Sequence, residues 1–250
     1  ELLCARRGHG RPYKNFLPNM SDRKKNPRDP KTISSLNSMQ LSARMTGFPK
    51  SKRVKLKYVE EIVFSSSNLI QTYSFRTNSV FDPNYTGGGH QPMLFDQYAE
   101  IYNHYTVLAS MITATPAPII STGVVPSYFG WNLSTSANAL TTDFSAVTYL
   151  LESNYTNPPL IYGNNNADSG VGLRTLNVVR AKFNAADFFG VTSPLDGSAY
   201  TALCTANPAQ EAFFRMYSAP IGGNTPGSSS YLIEIIYDVM FRDPKNVNGS

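Results

Sequence analysis

The residues best suited to chemistry in this sequence are its lysines and arginines, and they are crowded at one end. Of the 22 basic residues, 15 lie in positions 1–57 beside only 3 acidic ones, a net charge of +12. The other 193 positions hold 7 basic and 14 acidic residues, a net charge of −7. This asymmetry favours binding to a polyanion, because each Lys or Arg that neutralises a phosphate releases counterions. The candidate nucleic-acid-binding residues are Arg6, Arg7, Arg11, Lys14, Arg23, Lys24, Lys25, Arg28, Lys31, Arg44, Lys50, Lys52, Arg53, Lys55 and Lys57.

Histidines and cysteines do not form a recognisable reactive or metal-binding pattern. His90 follows three glycines, but no strand-to-helix phosphate motif surrounds them. His104 stands beside two tyrosines at a predicted strand start, which favours a hydrogen-bonded structural role over metal binding. Cys4 and Cys204 are far apart and lack zinc-site spacing, so we interpret them as reduced, incidental thiols. We therefore predict no metal and no cofactor.

Two carboxylate pairs are candidates for catalysis. Glu60 and Glu61 are adjacent on a predicted strand, so they point to opposite faces. Glu234 and Asp238 share a face but stand about 13 Å apart along the strand, which is too far for a glycosidase pair. Calcium binding between subunits is the alternative for this second pair. Neither pair predicts an enzyme.

Residues 1–51 are predicted to form an irregular basic arm, and residues 52–250 a folded domain. Prolines interrupt the arm and no periodicity persists through it. It lacks zinc-finger spacing, a recognition helix and an aromatic RNA-binding strand, so we expect binding without sequence specificity. A solubilising tail and a nuclear-import signal remain open as alternatives. The whole sequence has no run of about 18 apolar residues that could span a membrane.

The sequence of the predicted domain indicates a series of β-strands. In 53–64 the even positions are apolar except Glu60, and the odd positions carry Arg53, Lys55, Lys57 and Glu61, which indicates a half-buried strand whose polar face begins basic. Alternation of apolar and other residues is clearest in 231–241. Seven or more strands joined by long Gly-, Asn- and Ser-rich loops favour a two-sheet sandwich over βαβ units. The other predicted strands are 69–76, 105–115, 124–133, 173–183 and 213–219.

Short helices are predicted between the strands. Asp96 is expected to cap a helix over 97–103, and Asp143 a helix over 144–152. A further helical turn is expected at 185–189.

One long segment, 78–105, has an unusual composition: NSVFDPNYTGGGHQPMLFDQYAEIYNHY. Its Asp-Pro and Gly-Gly-Gly steps are turn chemistry, and its aromatic side chains are of the kind that fill subunit contacts. A well-packed loop within one subunit is the alternative, and the two are compatible. The candidate residues are Phe81, Asp82, Pro83, Tyr85, Gly87, Gly88, Gly89, His90, Gln91, Pro92, Phe95, Asp96, Tyr102 and His104.

This segment resembles a motif of capsid proteins from circular Rep-encoding single-stranded DNA (CRESS-DNA) viruses, FDP-x-YTGGGHQP-x-x-FDQ-x-x-x-x-YNHY. FNAADFFG at 183–190, and 206–220 followed by 231–245, resemble later family segments in the same order. The resemblance implies an all-β, eight-stranded viral jelly roll with short loop helices. It also implies an inward-facing basic arm and a small icosahedral shell of about 60 identical subunits, T=1, around a circular single-stranded DNA genome. The expected location is the virion, with assembly in the host nucleus or cytoplasm.

Three alternatives remain at this stage. The coat protein of a small RNA virus would share the fold and the arm. A jelly-roll carbohydrate-binding module would need exposed tryptophans, and Trp131 is the only one in the sequence. A jelly-roll glycosidase would need carboxylates that converge in a groove.

Overall fold

The computed structural model describes residues 48–117, 127–162, 178–222 and 225–245. Most of the predicted arm, including its ten basic residues from Arg6 to Arg44, lies outside this range, as do parts of the predicted strands 124–133 and 173–183. No helix within the described residues is both long and apolar enough to cross a membrane.

The described chain forms nine strands and four short helices. The strands are β1 (Ser51–Phe64), β2 (Gln71–Arg76), β3 (Tyr102–Pro116), β4 (Ser127–Ser134), β5 (Leu160–Tyr162), β6 (Val179–Asn184), β7 (Thr201–Leu203), β8 (Phe213–Pro220) and β9 (Ser229–Pro244). The helices are α1 (Phe95–Ile101), α2 (Leu140–Asp143), α3 (Val147–Glu152) and α4 (Ala185–Phe189).

Eight of the strands form two four-stranded antiparallel sheets with a jelly-roll order. Sheet A has the order β1-β9-β3-β6, with the short β7 also pairing with β3, and sheet B has the order β2-β8-β4-β5. The first and last strands are therefore neighbours, and the chain passes repeatedly between the sheets. This arrangement is the eight-stranded, double Greek-key sandwich, so the predicted fold class is confirmed.

The core lies between the two sheets and follows from the alternation in the sequence. On β9, every second residue from Tyr231 to Phe241 is buried, and on β1 Leu56, Tyr58, Ile62 and Phe64 are buried. The intervening β1 positions Arg53, Lys55 and Lys57 are exposed, as predicted. Period-2 patterning alone therefore oriented β1 and β9, two of the three longest strands, correctly.

Several predicted boundaries were wrong. β3 begins at Tyr102, three residues earlier than predicted, and β2 begins at Gln71 rather than at residue 69. The three-residue strands β5 and β7 were missed, because segments this short show no periodicity.

Both predicted aspartate caps were also wrong. Helix α1 begins at Phe95 and ends at Ile101, so Asp96 lies within its first turn, and Leu94 occupies the cap position at φ 73° without a capping side chain. Asp143 ends α2 instead of capping the next helix, whose cap position is Ala146. Burial of Phe95 and an ion pair of Asp143 with Arg215 outweigh capping here.

The predicted turn at 185–189 is confirmed as α4. The Asn184 side chain accepts a hydrogen bond from the Ala186 N–H at 3.0 Å, and Gly190 closes the helix with a positive φ of 66°. These are the usual polar N-cap and glycine C-terminus.

Candidate nucleic-acid and subunit-contact surfaces

The five described members of the basic set lie at the start of the folded domain. Lys50 precedes β1, and Lys52, Arg53, Lys55 and Lys57 belong to it; all five are exposed. β1 is an edge strand of sheet A. Its exposed basic side chains therefore extend the positive charge of the N-terminal sequence onto the outer face of that sheet.

Two of these cations are already paired with carboxylates of the neighbouring strand. The Arg53 guanidinium donates to both carboxylate oxygens of Asp238, at 2.8 and 2.6 Å, and Lys57 Nζ lies 2.5 Å from Glu234 Oε2. The hydrogen bond from Arg53 lowers the pKa of Asp238 below its usual range. The carboxylates considered for calcium are thus bound to lysine and arginine. No group of three or more His, Cys, Asp or Glu side chains suited to a metal occurs in the described ranges.

The opposite edge of the same face carries further cations. Lys57 on β1 lines up across β9 and β3 with Lys182 on β6: Lys57 pairs with Ile236, Ile236 with Met111, and Met111 with Lys182. Arg180 is the next outward residue on β6, and both β6 cations are exposed. Sequence reasoning missed them, because only the register brings β6 into line with β1.

The motif loop, which we define as residues 78–95, is organised around Asn84. This buried side chain donates to the Glu60 carboxylate at 2.8 and 3.0 Å and to Tyr73 Oη at 2.9 Å, while its carbonyl oxygen accepts from Thr86. Tyr58 Oη donates to the same carboxylate at 2.5 Å. Burial, and then this hydrogen bond, raise the pKa of Tyr58 above its usual range. Glu60, the exception in the β1 alternation, therefore fastens the loop to the strand.

The glycines of the loop have different roles. Gly87 has a positive φ of 73°, which favours glycine. A Cβ at Gly89 would lie 2.5 Å from Tyr58 Oη and 2.8 Å from Asn84 Cβ, so only glycine lets the loop approach β1 this closely. His90 then stacks on Tyr58, with ring centroids 4.7 Å apart.

Arg76 holds the first half of the loop. Its buried guanidinium bonds to Asp82 Oδ2 at 2.7 Å and to Glu211 Oε1 at 2.5 Å, and lies 5.1 Å from the centre of the Tyr85 ring. The Arg76 N–H also donates to the Pro83 carbonyl at 2.7 Å. Asp82, Pro83 and Tyr85 thus have explicit partners within the subunit.

The second half of the motif packs into the core. Gln91 donates to the Phe81 carbonyl at 2.9 Å, and Pro92 is buried. Phe95 packs edge-on against Tyr105 with 5.9 Å between ring centroids. The Tyr102 hydroxyl donates to the Pro49 carbonyl at 3.1 Å.

His104 lies in β3, where its Nδ1 is 3.0 Å from Asp243 Oδ2. The hydrogen-bonded structural role of this histidine stays a prediction.

The exposed residues of the motif are available to a neighbouring molecule. Met93 is 81% exposed, Leu94 is 55% exposed and Tyr85 is 46% exposed. The exposed members of the candidate interface set are Tyr85, Gly87, Gly88, Gly89, His90 and Asp96. The structure therefore separates this set into exposed residues that can make contacts and buried or half-buried residues that shape the subunit.

The buried ion pair of Arg215 was also not predicted from the sequence. Arg215 is buried on β8, where it is ion-paired with Asp143 and donates to Asn132 Oδ1 at 3.0 and 2.6 Å. A single arginine within an apolar run, as in Phe-Phe-Arg-Met-Tyr, was the available signal for a buried ion pair.

Two other sequence questions concern single side chains. Trp131 is buried in the core and donates to the Val179 carbonyl at 3.3 Å, so it offers no platform for a sugar. Cys204 is a free, buried thiol whose pKa is raised by burial to about 11, which fits an inert residue.

No protein-family model matches this chain, and no curated protein sequence matches it. Similar solved structures are viral capsid proteins. The BFDV capsid protein as a 60-mer has a TM-score of 0.44 at 11% identity, covering 81% of this chain and 100% of that one. The empty head of turnip yellow mosaic virus has a TM-score of 0.42 at 11% identity, covering 81% and 87%. A semi-empty particle of the giant freshwater prawn (Macrobrachium rosenbergii) nodavirus has 0.42 at 12%, covering 80% and 97%.

Proposed function

We propose that this protein is a viral coat protein that assembles with identical copies into a closed shell and packages a single-stranded genome. The observation that carries the proposal is the junction of two unlike parts. A jelly-roll sandwich begins at Ser51, directly after a strongly basic sequence, and the basic residues continue onto the outward side of its first strand. Its role is structural, not catalytic.

The charge is sufficient for packaging. Positions 1–57 carry a net charge of +12, and the pairing of Arg53 and Lys57 with acidic residues of β9 reduces the free charge to about +10. In a shell of about 60 subunits this amounts to on the order of 600 positive charges. Such a pool would neutralise many phosphates of a short genome and would drive co-assembly through counterion release.

The finer assignment is a T=1 shell around circular single-stranded DNA, with the arm facing inward. It is supported by the similarity of the motif loop to the CRESS-DNA capsid motif, and the coat protein of a small RNA virus is the alternative. Nuclease typing of the contents of purified particles separates the two, since DNase-sensitive contents are expected.

The exposed side chains of the motif loop are the proposed subunit contacts. Met93, Leu94 and Tyr85 present apolar surface to solvent. A coat protein covers such surface with a neighbouring copy, because large exposed apolar side chains are depleted outside interfaces. Phe95 and Tyr102 support these contacts from within the subunit.

The decisive experiment changes the charge of the arm and keeps its length. We would replace the ten basic residues between Arg6 and Arg44 with glutamine in the full-length protein. We expect shells that have lost most of their nucleic acid, as measured by the ratio of absorbance at 260 and 280 nm and by extraction. The matched control exchanges every Lys for Arg and every Arg for Lys at these positions, and should package normally.

Equal packaging by the neutralised variant and the control would refute the role of the arm. A protein that stays monomeric under all conditions would refute the coat function itself.

A further inference from the structure

The outer face of sheet A contains a groove to which the proposed coat function assigns no role. Its volume is about 690 Å³, within the range of about 300–1,000 Å³ of small-molecule sites. Met111 and Ile236, register partners on β3 and β9, contribute to its lining together with Lys55 on β1 and Lys182 on β6. Three strand spacings separate β1 from β6, about 14 Å, which leaves room for one extended polymer strand.

Two aromatic side chains form a wall of this groove. Tyr155 is 66% exposed, and its ring centre lies 5.6 Å from that of Phe188 on α4. Tyr155 has a positive φ of 64°, which is costly for a bulky residue, and its carbonyl is held by the Leu133 N–H at 3.0 Å. Phe188 is supported from below by Phe183 at 5.4 Å. The backbone thus fixes a large ring where it meets solvent.

The charged groups of the groove can bind both the phosphate and the base of a nucleotide. Lys55 and Lys182 are exposed cations for phosphate. Asp238 also lines the groove, but Arg53 neutralises it, and Asp187 is the remaining carboxylate. A carboxylate in this place can accept hydrogen bonds from the exocyclic amine of a base.

From this combination we infer that the groove binds a nucleotide of the packaged single strand. The base stacks on Tyr155 and Phe188, and the neighbouring phosphates contact Lys55 and Lys182. The inference rests on the proposed coat function and adds a second site of genome contact, in the folded domain itself.

A nucleic acid fits this groove better than another protein segment does. Aromatic surfaces beside cations are the two elements with which proteins bind single strands without reading sequence. The groove is also close to the basic sequence along the chain. Lys55 is four residues after the first residue of β1, about 13 Å along the strand, so a polymer held by the arm would reach it.

The test is photocrosslinking in particles of the full-length protein. Purified particles would be irradiated at 254 nm, digested with nuclease and protease, and searched by mass spectrometry for peptides that carry a nucleotide. We expect adducts on peptides of the arm and on the peptide that contains Phe188. In Tyr155→Ala particles, the Phe188 adduct should fall about tenfold, in line with the loss of one base stack. The arm adducts should not change.

Two variants serve as matched controls. Tyr155→Phe keeps the stacking ring and should crosslink at Phe188 within about twofold of the native protein. Tyr149→Ala removes another exposed tyrosine, which does not line the groove, and should have no effect.

The outcomes separate the two proposals. Arm adducts with no adduct at Phe188, or an equal yield in Tyr155→Ala, would overturn the groove and leave the coat function standing. Particles without nucleic acid would overturn the proposed packaging. If a lysine-specific crosslinker joins Lys182 to the arm of another copy in nucleic-acid-free shells at high yield, the groove holds protein and the inference is wrong.

Discussion

The motif loop and the outer face of sheet A contrast in how they use their polar residues. In the loop, Asn84, Asp82 and Gln91 all bond within the subunit, and Arg76 and Glu60 fasten the loop to the sheets. On the sheet face, Lys55, Arg180 and Lys182 point to solvent, and no ion pair of theirs occurs within the described ranges.

The difference teaches where sequence motifs and binding chemistry reside in this protein. The loop has an unusual sequence because close approach, a positive φ and a buried network each demand a particular residue. The sheet face needs only cations and an aromatic pair at suitable positions, which many sequences could supply. The most recognisable segment therefore shapes the subunit, and the most available chemistry lies elsewhere.

The largest effect on this contrast should come from Arg76→Met. The substitution leaves the carboxylates of Asp82 and Glu211 without their buried partner, so we expect a loss of about 3–5 kcal/mol in the free energy of unfolding. Urea denaturation measures it. Arg53→Met removes an exposed arginine pair and should lower the free energy of unfolding far less. Equal costs would show that the loop is no more constrained than the sheet face.

The next effect concerns the approach of the loop to β1. Gly89→Ala places a Cβ against Tyr58 Oη and Asn84 Cβ, and should cost about 1–3 kcal/mol. Gly88→Ala is the control, since the nearest atom to its Cβ would be Thr86 Oγ1 at 3.9 Å, and it should change stability little. The melting temperatures of the Gly89→Ala and Gly88→Ala variants are compared. Similar values would mean that Gly89 is not required by packing.

A substitution at the exposed tip of the motif loop should raise the free energy of unfolding instead of lowering it. Leu94 has a positive φ of 73°, which asparagine tolerates better than leucine, so Leu94→Asn should raise the free energy of unfolding by up to about 1 kcal/mol. The same substitution at Leu203, similarly exposed but within a strand, should lower it. If Leu94 is a subunit contact, Leu94→Asn should also raise the protein concentration at which shells form. Unchanged assembly would remove Leu94 from the proposed interface.

The smallest effect is the pH dependence of the stability that the Arg53–Asp238 pair contributes on the sheet face. The pKa of Asp238 is lowered in the fold, so its pairing with Arg53 adds stability above the unfolded pKa, near 4, and this is lost as pH falls through the lower folded pKa. Asp238→Asn should therefore cost up to about 1 kcal/mol at pH 7, and the cost should shrink as pH falls below the unfolded pKa. In an Arg53→Gln background the substitution should have little effect at pH 7 or at pH 2. A cost that does not shrink between pH 7 and pH 2 would exclude the pairing as its cause.

Local patterns predicted the strands and their faces well where the chain alternates. The faces of β1 and β9 could be assigned from single residues such as Tyr58, Lys55 and Tyr237, because period 2 is a property of consecutive positions. The helix at 185–189 was equally readable. The Asp96 and Asp143 caps could not be predicted correctly, because burial of Phe95 and the distant Arg215 decided where those helices begin and end.

The sequence by itself determined the separation of charge and the alternation that makes a sandwich, since each depends on neighbouring residues. Only the tertiary structure decided that Lys57, Ile236, Met111 and Lys182 lie in one row, and that Glu60 receives Asn84. These partners are distant in the chain, and strand register brings them together. Register is set by the packing of the whole core, so the groove and the buried ion pairs exist only once the two sheets have closed on each other.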